Sequence, residues 1–435
     1  VSLRSPMESR PAVRRDEGAR PARGLLSVLD GTSAMHLLVA AHDLYPDSGS
    51  GGTGRYVYET ARRLLDRGHR VSVVTRRRGD APPRGTVDGI DVYRYDVDVA
   101  GERGDRVLRQ LPGALRRVAD AVTEANRRAL VDHVSFQGPV TSLFVDRCVD
   151  DSVPRSATFH SPWPTEYRIR AREESDVSNP RRELNARARA AVERYVLGQA
   201  DHVVTLSDYM REQYRRVYDA PAPASVVPGG VDVERFDPAV DDRYDVEGDP
   251  ALLTVRRLSP RMGHDLLIDA FARVADDHPG AHLHVAGDGP LRRDLERRAA
   301  DRGVADRTTF HGYVPDADLP GAYAAADLFV LPTTQLEGFG LATLEALAAG
   351  TPVVATPVGG TTEVLDGLDD AVPADPLARE ATPPALADRL DSWLDLPDEK
   401  LRAAGGASRT HACRNFTWKS TVDSLERFYE SRLRE

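Results

Sequence analysis

Short apolar runs alternate with amphipathic stretches from Met35 almost to the end of the chain, and no other feature limits the available folds so strongly. Residues 36–41 read as a buried strand, 55–67 as a helix and 71–75 as the next strand, with Gly68 in the C-cap position between them. Further apolar runs fall at 131–136, 157–159 and 202–206. A second series starts near Ala251, with strands at 252–255, 282–286, 308–311, 328–331 and 353–356. Its helices lie between them, at 266–276, 291–302, 319–326 and 341–349. Strands that alternate with helices build parallel sheets covered on both faces. A Pro-Gly-Gly turn at 228–230 divides the two series. The expectation is an α/β chain of two doubly wound, Rossmann-like domains, 35–227 and 228–410, facing each other across a cleft. Ligands should bind at the carboxyl ends of the strands.

The 435 residues suit two or three domains, and 41% hydrophobic content supplies their cores. No stretch approaches the roughly 18 to 20 apolar residues of a membrane span. Cys148 and Cys413 are the only cysteines, which excludes a disulfide scaffold or a Cys-rich zinc site and fits a reducing, cytoplasmic compartment. A net charge of −10 argues against nucleic acid as a partner. Arginine almost replaces lysine, which occurs only at Lys400 and Lys419, and Asp outnumbers Glu 46 to 22. This skew fits a GC-rich genome and a salt-rich cytoplasm and carries no chemistry. Residues 1–34 are rich in Arg, Pro, Gly and Ser and lack periodicity. They are expected to be a disordered tail, or to precede a true start at Met35. Arg14-Arg15 is followed by no apolar stretch, so it is not an export signal.

Gly49-Ser-Gly51-Gly52-Thr-Gly54 matches the dinucleotide pattern G-x-G-x-x-G between a strand and a helix. However, about eight residues separate it from the strand, where a dinucleotide turn is immediate. Arg76-Arg77-Arg78 stands where the ribose-binding acid belongs, so only a 2′-phosphate cofactor fits that reading. A glycine loop at a helix N-terminus, able to hold a phosphate or an acceptor group, is simpler. The strongest constellation is Glu337-Gly338-Phe339-Gly340-Leu341-Ala-Thr-Leu-Glu345, leading into a helix that Gly350 and Pro352 end. Its glycines leave backbone N–H groups free at the helix N-terminus for sugar hydroxyls or phosphate oxygens. Glu345 lies in an otherwise apolar helix, where an unpaired charge is costly. Both oxygens of a carboxylate can accept from the vicinal diol of a ribose or hexose.

With these motifs the chain resembles the GT-B retaining glycosyltransferases of family 4. The resemblance runs from Met35 to the last helix. It rests on the Glu-x7-Glu stretch with the following Gly350-Thr-Pro-Val-Val-Ala-Thr-Pro-Val-Gly-Gly360, and on Val227-Pro-Gly-Gly-Val-Asp232 and Val285-Ala-Gly-Asp-Gly-Pro290. Phe310-His-Gly-Tyr-Val314 and Phe416-Thr-Trp418 match as well, the latter opening a helix over 411–435 that crosses back to the N-terminal domain in this family. The resemblance implies that 35–227 binds the acceptor and 228–410 the nucleotide sugar. Glu345 would bind the nucleotide ribose, and Glu337 would sit beside the donor sugar. Backbone groups around Gly338, Phe339, Gly340 and Leu341 would hold the sugar and the diphosphate. Gly312, Tyr313 and Val314 would read the base, Gly52 would border the donor, and His160 would contact its sugar from the opposite wall. Arg257 matches the family arginine that neutralises the diphosphate. The family lysine five residues later is Met262 here, so Arg261 is the expected substitute charge, although Arg and Lys differ on phosphate. Arg256 replaces a common glycine.

The reaction so implied moves a hexose from a nucleoside diphosphate sugar to a hydroxyl of a glycan or lipid-linked glycan, with retention and with neither metal nor other cofactor. It agrees with the lack of an Asp-x-Asp in a metal-binding loop, since Asp241-Asp242 falls in the linker. A nucleotide-sugar 2-epimerase and a catalytically silent nucleotide-sugar-binding module are the alternatives. His282 and His284 alternate on one strand without a third ligand and read as structural. Residues 106–128 form a basic amphipathic pattern that suits either solvent or the inner face of an anionic membrane, diluted by Asp120 and Glu124.

Overall fold

A computed structural model describes residues 34–47, 49–97, 104–173, 179–220, 222–240, 244, 246–368 and 371–434. The expectations for residues 1–33 and for Asp241-Asp242 lie outside the described residues. Two sheets carry the fold. The first comprises β1 (His36–Ala40), β2 (Arg70–Arg76), β3 (Arg84–Val87), β4 (Ile90–Tyr95), β5 (His133–Phe136), β6 (Arg155–Phe159), β7 (His202–Thr205) and β8 (Ala224–Val226), in the order β3-β4-β2-β1-β5-β6-β7-β8. The second comprises β9 (Ala251–Val255), β10 (His282–Ala286), β11 (Thr308–Gly312), β12 (Leu328–Leu331) and β13 (Val353–Ala355), in the order β11-β10-β9-β12-β13. All neighbours run parallel except β3, which pairs antiparallel with β4. Every residue of β1, β5, β6, β7, β10 and β12 is buried, as expected for strands with helices on both faces.

The chain runs outward from β1 through β2 before returning to β5, and from β9 through β10 before returning to β12. Each sheet therefore has a switch point, β1/β5 in one and β9/β12 in the other, where a crevice opens beyond the strand ends. β3, exposed over its first three residues, β4, interrupted by Asp91 and Arg94, and the three-residue β8 escape the apolar-run reading. The helix Gly104–Arg128 covers the expected basic stretch, burying Ala114, Val118, Ala121 and Ala125. His282, His284 and His311 stack as a column in which His284 Nδ1 lies 2.9 Å from His311 Nε2.

The last helix, Trp418–Arg434, returns to pack on helix Gly52–Asp66 of the first domain. It buries Trp418, Val422, Leu425 and Tyr429 and ties Asp423 and Glu426 to Arg67. The Pro-Gly-Gly turn is set by these contacts. A Cβ on Gly230 would stand 2.4 Å from the Trp418 nitrogen, and one on Gly229 would stand 2.9 Å from the Phe339 ring. Among the described residues no helix is long and apolar enough to cross a membrane.

Candidate active site

β9 and β12, which flank the second switch point, deliver an arginine and an acid to it. Arg256 follows β9, and its Nη2 lies 2.7 Å from Oε2 of Glu337, in the loop after β12. That oxygen also accepts from Thr333 Oγ1 at 3.2 Å. Glu337 is 8% exposed, so the arginine holds its charge inside the fold. The glycine pair at 359–360 lets this loop close on itself. The Gly360 N–H donates to the Glu337 carbonyl at 2.9 Å, and a Cβ on Gly360 would stand 2.5 Å from the Gly338 oxygen.

Gly340, at φ +95°, is the N-cap of helix Leu341–Ala348 and gives it no side-chain cap. The hydroxyls of Thr343 and Thr361 lie 3.3 and 3.2 Å from where its Cβ would be, and both are buried without a partner. Unmade hydrogen bonds of this kind are costly, so the hydroxyls and the free N–H groups form a cradle that suits an anion or a sugar. A second glycine-capped helix N-terminus meets it across the cleft. Gly52 opens helix Gly52–Asp66, and its Cβ position is 3.7 Å from Leu341 Cδ1. No acid sits in the first turn of either helix, although Asp43 accepts from the Gly51 N–H at 3.3 Å.

Glu345 lies further along the same helix, where Tyr323 donates its hydroxyl to Oε2 at 3.0 Å. Burial raises the Glu345 pKa, while Tyr323, Arg55 and Arg235 pull it back. The slot in front of it is lined by Arg55, Arg235, Leu341 and Gly230. His160 ends β6 on the opposite wall, its carbonyl 2.9 Å from where a Cβ on Gly338 would be. Its Nε2 donates to Gln137 Oε1 at 2.8 Å, because the Gln137 amide nitrogen is engaged with Ser135 and Thr158. Burial pushes His160 down to about 4, so near neutral pH the ring is uncharged and Nδ1 is an acceptor.

Contacts between the walls hold the cleft shut. Ser207 donates to the Gly338 carbonyl at 2.8 Å, and Glu363 accepts from the N–H groups of Asp208 and Tyr209, both at 2.7 Å. Asp316 accepts from Tyr45 at 2.9 Å, pairs with Arg235 at 2.8 Å and also binds Arg55. Burial works to raise the Asp316 pKa, but the bond and charge of Arg55 keep it below the usual carboxylate range.

The expected site residues are therefore not all placed alike. Glu337, Gly338, Phe339, Gly340, Leu341, Glu345, Gly52 and His160 converge on the cleft. Gly312 turns with φ +71°, Val314 is buried, and Tyr313 stands 75% exposed in the loop that carries Asp316. Arg257 is exposed, and its neighbour Arg256 meets Glu337 instead. Arg261 donates from Nη1 to the Leu336 carbonyl at 2.8 Å and so braces the Glu337 loop. Arg256, Tyr323, Arg55, Arg235 and Asp316 were not expected. Only Arg256 had a local signal, as a charge where a glycine is common. A cavity of about 750 Å³ opens at the amino ends of the second sheet, beside Asp327 and Pro352, away from these groups.

Two doubly wound domains, with an acid–arginine pair at one switch point and a neutral histidine on the facing wall, define a GT-B transferase of nucleotide-linked groups. The family model described as Glycosyltransferase Family 4 matches residues 50–235, and that of Glycosyl transferases group 1 matches 241–410. The D-inositol 3-phosphate glycosyltransferase of Segniliparus rotundus is 32% identical over 97% of this chain and 95% of its own length. The mannosylfructose-phosphate synthase of Agrobacterium fabrum is 30% identical over 92% and 90%. Sucrose-phosphate synthase from Thermosynechococcus elongatus shares the fold at a TM-score of 0.72 and 21% identity, over 92% of this chain and 99% of that one. The chain belongs to glycosyltransferase family 4, and it is a hexosyltransferase.

Proposed function

We propose that this chain transfers the hexose of a nucleoside diphosphate sugar to an acceptor hydroxyl with retention of anomeric configuration. The observation that carries the reading is the Arg256–Glu337 pair beside the uncapped helix terminus at Gly340, facing His160. Glu345 takes the vicinal diol of the ribose, a role suited to a carboxylate whose outer oxygen is free of Tyr323. The first-turn N–H groups of helix Leu341–Ala348, with the Thr343 and Thr361 hydroxyls, receive the diphosphate. Arg256 and the helix dipole stabilise the charge that grows on it as the glycosidic bond breaks. Glu337, oriented by Arg256 and Thr333, and the Nδ1 of His160 accept hydroxyls of the donor sugar from opposite walls. The bond from the anomeric carbon to the phosphate oxygen breaks, the acceptor oxygen bonds to that carbon on the same face, and the acceptor proton passes to the leaving phosphate. No step asks for a metal, so turnover is expected to survive chelation.

The two full-length relatives are named for phosphorylated small molecules, which supports a polyol or sugar hydroxyl as acceptor. Contact with a membrane surface is a further part of the proposal. It would use Leu115, 39% exposed, and Arg116, since Arg117 and Arg128 already meet Asp96 and Asp91. The test is to supply uridine, guanosine and adenosine diphosphate hexoses with polyol and sugar acceptors, measure diphosphate release and read the product anomer by NMR. One donor should turn over in an acceptor-dependent way to a product of unchanged configuration. An inverted product would overturn the retaining assignment.

A further inference from the structure

The ring of His160 is held by side chains from two adjacent strands. β5 and β6 pair parallel, with Ser135 opposite Ser156 and Phe136 opposite Ala157. Residues two apart on a strand share a face, so Ser135 and Gln137 project to the same side as Thr158 and His160. Gln137 stands just past the end of β5, and its N–H still donates to the Ala40 carbonyl at 2.8 Å. Its buried amide donates from Nε2 to Ser135 Oγ at 2.9 Å and to Thr158 Oγ1 at 2.8 Å. Both amide protons are used in this way, which leaves Oε1 to face His160 Nε2 at 2.8 Å.

Tyr56 of helix Gly52–Asp66 packs edge-on against the His160 ring, with centroids 5.2 Å apart and planes at 77°, and it also meets Trp418 of the last helix at 5.9 Å. Both aromatic rings are buried, so the plane of the imidazole is fixed as well as its Nε2. No charged group acts on the ring, and burial alone lowers its pKa. Of the titratable side chains around it, Tyr56 is itself kept neutral by burial. Glu337, next to the Gly338 that approaches the His160 carbonyl, is paired with Arg256. A carboxylate often orients a histidine, and it raises the basicity of the ring as it does so. Here an amide fills that place, which orients the ring and leaves it neutral.

We infer that Gln137 is a positioning residue for the transfer: its amide fixes the ring proton of His160 on Nε2 without charging the ring, and so keeps Nδ1 a hydrogen-bond acceptor towards the donor sugar. The inference deepens the transferase reading above and rests on it. Nδ1 has no partner among the described residues, so its lone pair is available. A turned-over amide would present N–H to Nε2, drive the ring proton to Nδ1 and make that atom a donor. An imidazolium would donate there too. Ser135 and Thr158 matter because they set which end of the amide faces the ring.

The test compares the full chain with Gln137→Glu and Gln137→Leu, using the nucleoside diphosphate hexose that supports turnover. A carboxylate at 137 raises the His160 pKa from about 4 towards neutrality. Above the raised value the ring is again neutral with its proton on Nε2. Gln137→Glu should therefore keep kcat/KM within about threefold at alkaline pH and lose about tenfold per pH unit on the acid side, a limb the wild type lacks in the neutral range. Gln137→Leu should lose about tenfold at every pH alike. Histidine-selective nitrogen NMR of the full chain reads the ring without turnover, with His160 assigned by its absence from the His160→Gln spectrum. The ring should be neutral and protonated at Nε2 in the wild type and should titrate in the neutral range in Gln137→Glu. If Gln137→Glu does not fold, Ser135→Ala combined with Thr158→Val carries the test, because it frees the amide to turn over and should give a second, Nδ1-protonated population. Wild-type protonation at Nδ1, an acid limb shared by the wild type and Gln137→Glu, or a His160 signal that ignores these variants overturns the inference. A wild-type chain without turnover on any donor would instead overturn the transferase reading.

Discussion

In the proposed reaction the departing diphosphate is neutralised by Arg256, which stands beside Glu337. Arg261 holds a backbone carbonyl, Met262 is buried, and Arg257 is exposed. Successive side chains at a strand end point to opposite sides, and the Arg256 N–H still bonds to the Ala286 carbonyl as β9 runs out. Arg256 meets Glu337 inside the fold, while Arg257 stands exposed. Arg256→Ala is expected to lower kcat/KM by about 10²- to 10³-fold, the usual cost of losing one donor to a developing oxyanion. Arg257→Ala should stay within threefold, and steady-state kinetics of both variants checks the pair. The order of two adjacent arginines was not legible in sequence, since it depends on where β9 releases the chain. Glu337 and Glu345 were legible because their spacing is local to one loop and helix. The partner of Glu345 was not, since Tyr323 lies 22 residues away on another helix.

Among the elements, the loop after β11 does more than its expected reading of the base. Asp316 gathers Tyr45 and Arg55 from the first domain and Arg235 from the crossover, partners 81 to 271 residues distant. No local pattern announces such a contact. Most strands, by contrast, were readable as apolar runs; β3 and β8 were missed where residues face solvent, and β4, though buried, because Asp91 and Arg94 interrupt its apolar pattern. The Asp316 side chain is 26% exposed and its partners no more than that, so the cluster is better shielded than an ordinary surface pair. Asp316→Ala should raise the donor dissociation constant about three- to tenfold, as expected for losing about 0.7–1.4 kcal/mol of closure. It should also increase the radius of gyration of the free chain in solution scattering. An unchanged radius with unchanged affinity would show that this loop does not govern closure.

At the scale of the whole molecule, each sheet presents its switch point to the same cleft. The second carries Arg256, Glu337 and the glycine-capped helix; the first carries His160. The last helix ties the arrangement together by docking Trp418 on the first domain while its preceding residue Thr417 bridges to Val231. Family membership follows from matches along nearly the whole chain. The most direct measurement is calorimetric titration of UDP, GDP and ADP into the full chain and into Glu345→Ala. One diphosphate should bind in preference to the others and lose about tenfold to a hundredfold in affinity in the variant, in line with hydrogen bonds to a charged group. Binding of none of the three, or binding that ignores Glu345, would contradict the assignment of the cleft.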